Sequence, residues 1–429
     1  GIGGYLLMTD ASNISSVEEL RYRKHRPSKP FAVLLKDLET ARHYADINES
    51  EATALQSLES PVVLVKRKNH SSLPCVAPGL DRLGIMLPYT PLLALLAEGF
   101  NGPLVATSGN ISGSPIFYED HQALNNLGGF ADFFLVNNRD IVVPQDDSVV
   151  QYTRSGNQRI VLRRSRGMAP LVFHHPFNAE APVLAMGADM KSAFALNMRG
   201  NLYASQYLGD LENFDTQRAY EHTLQHLLHV FAAKPAEIIV DKHPGYFSKQ
   251  KGLQLAGQWD VPVHEVQHHH AHFGAVLAEN NLLDSPVPVL GVIWDGTGLG
   301  DDSNIWGGEF LRYEDHAIDR VNHLDYFPHF LADKFSREPR LAALSLCLNQ
   351  PGGIALVENK FDDTEWKLYR AMAEKSQIRT SSMGRLFDAV ASLLDLCDHS
   401  TYEGEAALFL ENSALRAHER NIKPLENFS

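Results

Sequence analysis

The chain has 429 residues, 44% of them hydrophobic, enough for two or three domains with cores of their own. Its formal net charge of −14 and isoelectric point near 5.8 exclude a stable complex with nucleic acid, whose phosphates demand a basic surface. No apolar run approaches the roughly 20 residues of a membrane helix. The three cysteines, Cys75, Cys347 and Cys397, are too far apart for a disulfide framework or a thiolate zinc site, so a reducing cytoplasm is the expected compartment.

The sequence opens GIGGYLLMTD, without Met and without a signal-peptide pattern, straight into strand-like residues, and reads as a piece of a longer protein. As far as Pro170, apolar runs (Phe31–Leu35, Val62–Val65, Leu104–Thr107, Ser148–Tyr152, Ile160–Leu162) alternate with helical stretches such as Val17–Arg23 and Leu92–Leu96. That is the pattern of an α/β domain built on one sheet. Within it, RYRKHRPSK gathers Arg21, Arg23, Lys24, Arg26 and Lys29, and a basic cluster in an acidic chain predicts a small anionic ligand. Lys24 and Arg26 alternate, so on an extended backbone they share one side and clamp one phosphate or carbamoyl phosphate, with Lys29 beside them. The loop TSGNISG adds Thr107, Ser108, Asn110 and Ser112 after an apolar strand, and RIVLRRSRG adds Arg163 and Arg166. Each group alone reads equally well as polar surface. Together they describe a nucleotide and acyl-donor pocket.

The aperiodic, proline-rich PLVFHHPFNAEAP marks a linker at 173–182, between a domain of residues 1–172 and one of 183–429. In the latter, VLAMGADMKSAFALNMRGNLYAS (183–205) and VLGVIWDGTGLGDDSNIWGGEF (289–310) repeat one scheme of apolar strand, glycine turn and further strand. Two such hairpins about a hundred residues apart predict a duplicated α/β unit. The turns offer Lys191 and Ser192 in the first copy and Gly296, Thr297 and Gly298 in the second as phosphate contacts. A helix is expected over Asp215–Phe231 behind an aspartate cap. In SSMGRLFDAV, Ser382 and Gly384 enter a helix whose free amides favour anions; the same residues equally describe a simple capped helix.

VQHHHAHF places four histidines within five positions. His268 and His272, four apart on a helix, lie on one face and can chelate one metal ion. Asp295, at the end of an apolar strand, would complete an open site of two histidines and a carboxylate. The alternative is a helix start whose histidines are solvated or satisfied in the core. The absence of a glutamate between the histidines separates this run from the HExxH signature of zinc proteases.

KHRPSKPFAV, TSGNISG and RRSRGMAP resemble the YrdC-like domain, with Lys24/Arg26 and Ser108/Asn110 at its lysine-x-arginine and serine-x-asparagine motifs. HHHAH, WDGTGLGDDSNIWGGE, REP, SSMGRLFDAVASLL and YEGEAA resemble the TsaD-like, actin-type ATPase domain. Their order over essentially the whole chain is similar to the HypF family of carbamoyltransferases, which mature [NiFe]-hydrogenases. The resemblance implies an α/β protein: a YrdC-like open twisted sheet domain followed by a duplicated actin-like (ASKHA) ATPase-type domain. It also implies that the first domain makes carbamoyl adenylate from ATP, Mg²⁺ and carbamoyl phosphate. The second, holding nucleotide and a divalent metal (Zn²⁺, Fe²⁺ or Mg²⁺) at His268, His272 and Asp295, would pass the carbamoyl group to the C-terminal cysteine of HypE, en route to the cyanide ligands of the hydrogenase iron. The chain's own cysteines are then structural.

The family's acylphosphatase-like and zinc-finger-like regions do not occur in this sequence, and the second domain is expected to be truncated before its closing glycine-rich motifs and a further aspartate ligand. FLADKFSREPR departs from the family's more glycine-rich wording. Two rivals stand beside this reading. One is threonylcarbamoyl-adenylate synthesis for tRNA modification, which uses related domains. The other is a non-catalytic nucleotide-binding scaffold.

Overall fold

An eight-stranded mixed sheet organises the N-terminal part of the computed structural model, which describes residues 1–68, 73, 75–111, 113–174 and 181–422. Its strands run, in spatial order, Leu6–Asp10, Leu104–Ser108, Ala32–Leu34, Arg82–Met86, Val62–Arg67, Val149–Tyr152 and Arg159–Arg163, with Ala45–Asp46 alongside Val62–Arg67. Ala32–Leu34 pairs with Arg82–Met86, and Val62–Arg67 with Val149–Tyr152, in parallel; the other pairings are antiparallel. Both faces are covered, which is why the central strands read as continuous apolar runs. Val33, Val63, Val65, Ile85 and Val105 enter one core. Their neighbours Leu34, Val62, Met86 and Leu104 enter the other, under Leu93 and Ala97 of the helix Pro91–Phe100.

The helix Ile14–Arg23 starts at Asn13, whose side chain accepts the Ser16 N–H, and it buries Val17, Leu20 and Arg21. Arg21 donates to the carbonyls of Cys75, Val76, Arg26 and Lys29 and lies over the Phe31 ring at 4.5 Å. It therefore belongs to the scaffold that shapes the basic loop. Arg23, two residues on, makes surface pairs with Glu19 and Asp132.

The chain divides into two compact units, Gly1–Glu265 and Val266–Ser429. The first contains most of a second sheet, ordered Val263–Val266, Glu237–Asp241, Val183–Ala185, Ala195–Met198, Asn201–Ala204, Leu171–His174. The strand Leu171–His174 pairs antiparallel with Asn201–Ala204, so the segment expected as a linker starts inside this sheet; residues 175–180 lie outside the described residues. The helices Phe214–Val230 and Phe247–Trp259 close the core around Leu184, Phe194, Tyr220 and Ile238. The cap of the former is Asn213, which accepts the Asp215 and Thr216 amides, and not Asp215 as expected. Asn213 sits one residue before the helix with an extended backbone, where a side-chain oxygen reaches those amides.

In the second unit the strands Val289–Leu299, Ile305–Glu314 and Ala317–His323 form an antiparallel meander, extended by Arg379–Thr380 and Phe327–Pro328. It matches the meander Val183–Ala185, Ala195–Met198, Asn201–Ala204, the duplication read from the two glycine-bearing segments. The helix His268–Glu279 packs Phe273 and Leu277 against Ile293, Leu311 and Tyr313. A helical part follows, with Pro339–Cys347 and Met383–Leu393 at its centre. There Arg340, the residue after REP, is clamped by Glu338 of that motif and by Glu365.

Of the glycine turn expected over DGTGLGDD, Asp295–Asp302, only the end turns; its first half continues the strand. The register shifts between Trp294 and Gly298, so Asp295, Gly296 and Thr297 bulge out of a continuous strand, and the chain reverses later, around Gly300–Asn304. A bulge re-aims side chains without ending the strand.

Candidate active site and metal centre

Lys24 does not sit on an extended backbone. It is the C-cap of the helix Ile14–Arg23, its N–H bonded to Leu20 O, and His25 follows at φ 48. Alternation along a strand is therefore not what brings Lys24 and Arg26 together. They converge because both reach the end of the strand Leu104–Ser108, Arg26 at Thr107 and Lys24 at Ser108 and the loop beyond it. Lys24 is 3% exposed, and its ammonium donates to Ser108 O at 2.8 Å and to the main-chain and side-chain oxygens of Asn110, each at 3.0 Å. The Arg26 guanidinium donates to Thr107 Oγ1 at 3.4 Å, to Lys29 O at 3.2 Å and to Pro30 O. Ser108 Oγ donates to Asn110 Oδ1 at 2.9 Å, and the Asn110 amide to Ser114 O at 2.7 Å. Ser112 lies outside the described residues.

Burial, reinforced by the charges of Arg26 and Lys29, lowers the Lys24 pKa to about 7, while Asp146 pulls the other way. Burial also raises the Asp146 carboxyl; Arg163, Lys29 and Lys24 oppose this, and neighbouring Asp147 adds to it. Asp146 was not picked out from sequence. The acidic pair in PQDDSVV, just before the strand Val149–Tyr152, is the signal that could have revealed it. Arg163 donates from Nε to Asp147 O at 2.7 Å. Arg166, 4% exposed, bonds Asp147 Oδ1, Glu59 O and Ser60 O and lies over the Tyr89 ring at 3.5 Å. Its fork is thus directed at protein oxygens.

The first glycine turn is also partly occupied from within. Asp189 accepts the Phe247 and Ser248 amides at 2.7 and 2.9 Å and so caps the helix Phe247–Trp259. Lys191 is exposed, with its N–H on Asp210. Ser192 is 1% exposed, its hydroxyl without a hydrogen-bond partner.

In the second unit the structure brings the remaining candidates together. Ser382 caps the helix Met383–Leu393 by accepting the Arg385 N–H. Its hydroxyl lies 3.0 Å from Asp295 O and 2.8 Å from Gly296 O, donating to one of them. A Cβ on Gly384 would stand 2.9 Å from Gly296 Cα, so only glycine lets the helix meet the bulge this closely. Thr297 is exposed and donates to Gly296 O. The bulge is held from behind by Glu309, a buried carboxylate that accepts the Gly307 and Gly308 amides, the Ser381 hydroxyl and Arg320 Nε.

His268 and His272 lie one turn apart with their Nε2 atoms 3.2 Å apart, and His268 Nε2 is 3.3 Å from Asp295 Oδ2. One donor atom from each of the three residues falls within 4.8 Å of the others. Burial pushes the Asp295 carboxyl up, but His268, the Gly296 amide and His272 outweigh it and hold the pKa at about 2, so this group is an anion. Asp295 Oδ2 is buried without a hydrogen-bond partner. Two imidazole nitrogens at tetrahedral ligand spacing and an orphaned carboxylate oxygen fit a divalent metal ion. His269 is fully buried, and burial lowers its pKa to about 4. The sequence sets His269 and His270 apart from the metal pair, directed toward substrate or solvent; His269 is instead enclosed in the protein, and Gln267 carries no signal in the sequence.

Three family models match successive parts of the chain. Residues 1–165 match the Sua5/YciO/YrdC family model, described as telomere recombination. Residues 178–279 match the HypF Kae1-like domain, and 291–427 the second subdomain of the carbamoyltransferase Kae1-like domain. Carbamoyltransferase HypF of Synechocystis sp. is 40% identical over 96% of this chain and 55% of its own length. A crystal structure of full-length HypF in the phosphate- and nucleotide-bound form matches 96% of this chain and 54% of its own with a TM-score of 0.90 at 36% identity. For the T. kodakarensis HypF structure the shares are 97% and 56%, with a TM-score of 0.88 at 35% identity. This chain belongs to the HypF family. It spans about half the length of the relatives it matches. Its large N-terminal sheet is the YrdC-like domain, and the paired meanders with their helices are the Kae1-like, actin-type part. Among the described residues no helix is long and apolar enough to cross a membrane.

Proposed function

We propose that this HypF-family chain forms carbamoyl adenylate at the Lys24 pocket and transfers its carbamoyl group at the centre around His268, His272 and Asp295. The carrying observation is the buried Lys24 ammonium, fixed on Ser108 and Asn110 with Arg26 beside it on Thr107. Such a preset cationic pocket suits a reaction that places negative charge on phosphate oxygens. In the first step a carbamate oxygen, supplied by hydrolysis of carbamoyl phosphate, attacks the α-phosphorus of ATP, and pyrophosphate leaves as its Mg²⁺ complex. Arg26, Lys29 and Arg163 neutralise phosphate charge, and Lys24 with the Ser108–Asn110 loop orients the carbamate. Exclusion of water protects the mixed anhydride.

In the second step a thiolate attacks the carbonyl carbon and AMP departs. The acceptor is the C-terminal cysteine of HypE, and the product feeds cyanide-ligand synthesis in [NiFe]-hydrogenase maturation. His268, His272 and Asp295 would hold Zn²⁺, Fe²⁺ or Mg²⁺, which when bound polarises a carbonyl or neutralises phosphate oxygens. Gly296, Gly298, Thr297, Ser382 and Gly384 shape the anion-binding bulge beside it, and Lys191 and Ser192 stand at the corresponding turn of the first copy.

Pyrophosphate release from ATP and Mg²⁺ tests the reading, with carbamoyl phosphate compared against threonine plus bicarbonate and with a separate acylphosphatase added as a supplement. Release that needs carbamoyl phosphate is the expected result. Release with threonine instead would transfer the chain to the tRNA-modification pathway, and release with neither would leave a nucleotide-binding scaffold.

A further inference from the structure

Gln267, just before the histidine run, uses every polar atom of its amide. Oε1 accepts the His270 N–H at 3.0 Å; a main-chain N–H can only donate, so this atom is oxygen and its partner is nitrogen. The two amide hydrogens go to Leu299 O at 3.0 Å and to His269 Nδ1 at 3.1 Å. A ring nitrogen that accepts carries no proton, so neutral His269 is protonated on Nε2. A protonated Nε2 has no lone pair to offer a metal.

That Nε2 is buried without a hydrogen-bond partner and faces another such atom, Asp295 Oδ2, at 3.7 Å. The other oxygen, Oδ1, already accepts the Gly296 N–H at 2.6 Å. The ring comes this close because residue 298 is glycine: a Cβ there would stand 2.4 Å from His269 Cε1 and 2.9 Å from His268 Cδ2.

We infer that His269 is a positioning residue and not a third imidazole ligand: Gln267 holds its Nδ1, which aims its Nε2–H at Asp295 Oδ2 and sets that carboxylate's orientation toward the metal. The inference rests on the metal-centre reading proposed above. At 3.7 Å the pair is too long for a hydrogen bond, and closing the gap satisfies two buried atoms at once. Outer partners of this kind orient metal ligands and raise affinity. The run HHHAH then divides by role, with His268 and His272 as ligands and His269 behind the carboxylate.

The test uses the whole chain with Co²⁺ as the probe, its binding followed by visible absorption and its first shell by X-ray absorption. His269→Ala and Gln267→Ala are each expected to weaken Co²⁺ by about 10–100-fold, with the imidazole count unchanged at two. Loss of an imidazole from the shell in His269→Ala, or unaltered affinity, overturns the inference. A second readout does not depend on any variant folding. In the metal-free wild type, ¹⁵N-histidine NMR should show His269 protonated on Nε2, and protonation on Nδ1 would overturn it. In Gln267→Glu the side chain can only accept from the ring, so the tautomer should invert. A wild type that binds no Co²⁺ removes the metal reading itself, and the ring's tautomer tells that failure from failure of the hydrogen-bond argument.

Discussion

In the Lys24 pocket each proton of the ammonium already has an oxygen within 3.0 Å, whereas at the histidine centre Asp295 Oδ2 and His269 Nε2 are buried with no hydrogen-bond partner. The first site is complete as protein and stores its electrostatics in a strained protonation state, since burial beside two further cations weakens the lysine's hold on its proton. On the metal-centre reading proposed above, a cation completes the second. A ligand should therefore act on the two differently. At Lys24 it changes a proton equilibrium, and at Asp295 it fills an unmet coordination demand.

The largest expected effect follows from removing the completed cation. Lys24→Met should lower carbamoyl-phosphate-dependent pyrophosphate release by about 10²–10³-fold, the scale of losing one preset donor at a developing charge, while circular dichroism remains native. Next is the scaffold beneath it. Arg21→Ala leaves buried carbonyls unpartnered and should cost about 3 kcal/mol or more of unfolding free energy. Arg23→Ala, two residues along the same basic run, should cost no more than about 1 kcal/mol, because its ion pairs are on the surface. Urea denaturation of the two variants breaks the comparison if they behave alike.

At the metal centre, saturation to about 100 times Kd should stabilise the fold by about 2.7 kcal/mol. Thermal scans with and without chelator read this gain, and it should vanish in His272→Ala. The smallest effect is in pH. The Lys24 ammonium titrates near pH 7, and only its charged form adds to the positive field that Arg26, Lys29 and Arg163 present to phosphate. ATP affinity should therefore fall as pH rises from 6 to 8, with proton uptake on binding above pH 7, and Lys24→Arg should flatten the profile. Unfolding free energy should carry the opposite sign: the unfolded lysine keeps its proton up to a pH near 10.4, so stability rises from about pH 7 toward that value. A pH-independent calorimetric Kd would contradict the assigned charge state.

The residues that meet through strand and helix periodicity were legible in the chain. Val62–Val65 and Leu104–Thr107 read as buried strands because both faces of the sheet are covered, and the spacing of His268 and His272 already placed them on one helical face. What escaped depends on backbone geometry or on distant partners. Arg82–Met86 is a central strand whose run, RLGIM, is short and interrupted by glycine. The positive φ at His25 and the bulge at Asp295–Thr297 have no periodic signature. Lys24 meets its partners 84 and 86 residues away, and Gln267 shows its role only once Leu299 lies beside it. Arg166 and Ser192 matched an expected composition, but the fold turns them inward.

The division of labour between the two sites is the claim most exposed to experiment. Wild type and His272→Ala would be given ¹⁴C-carbamoyl phosphate and ATP in a single turnover with acylphosphatase and a HypE C-terminal peptide, and pyrophosphate, carbamoyl adenylate and labelled peptide would be quantified together. Retained pyrophosphate release, accumulated adenylate and an unlabelled peptide in His272→Ala are the predicted results. Loss of pyrophosphate release together with peptide labelling would contradict the account, because adenylation would then not belong to the Lys24 pocket alone.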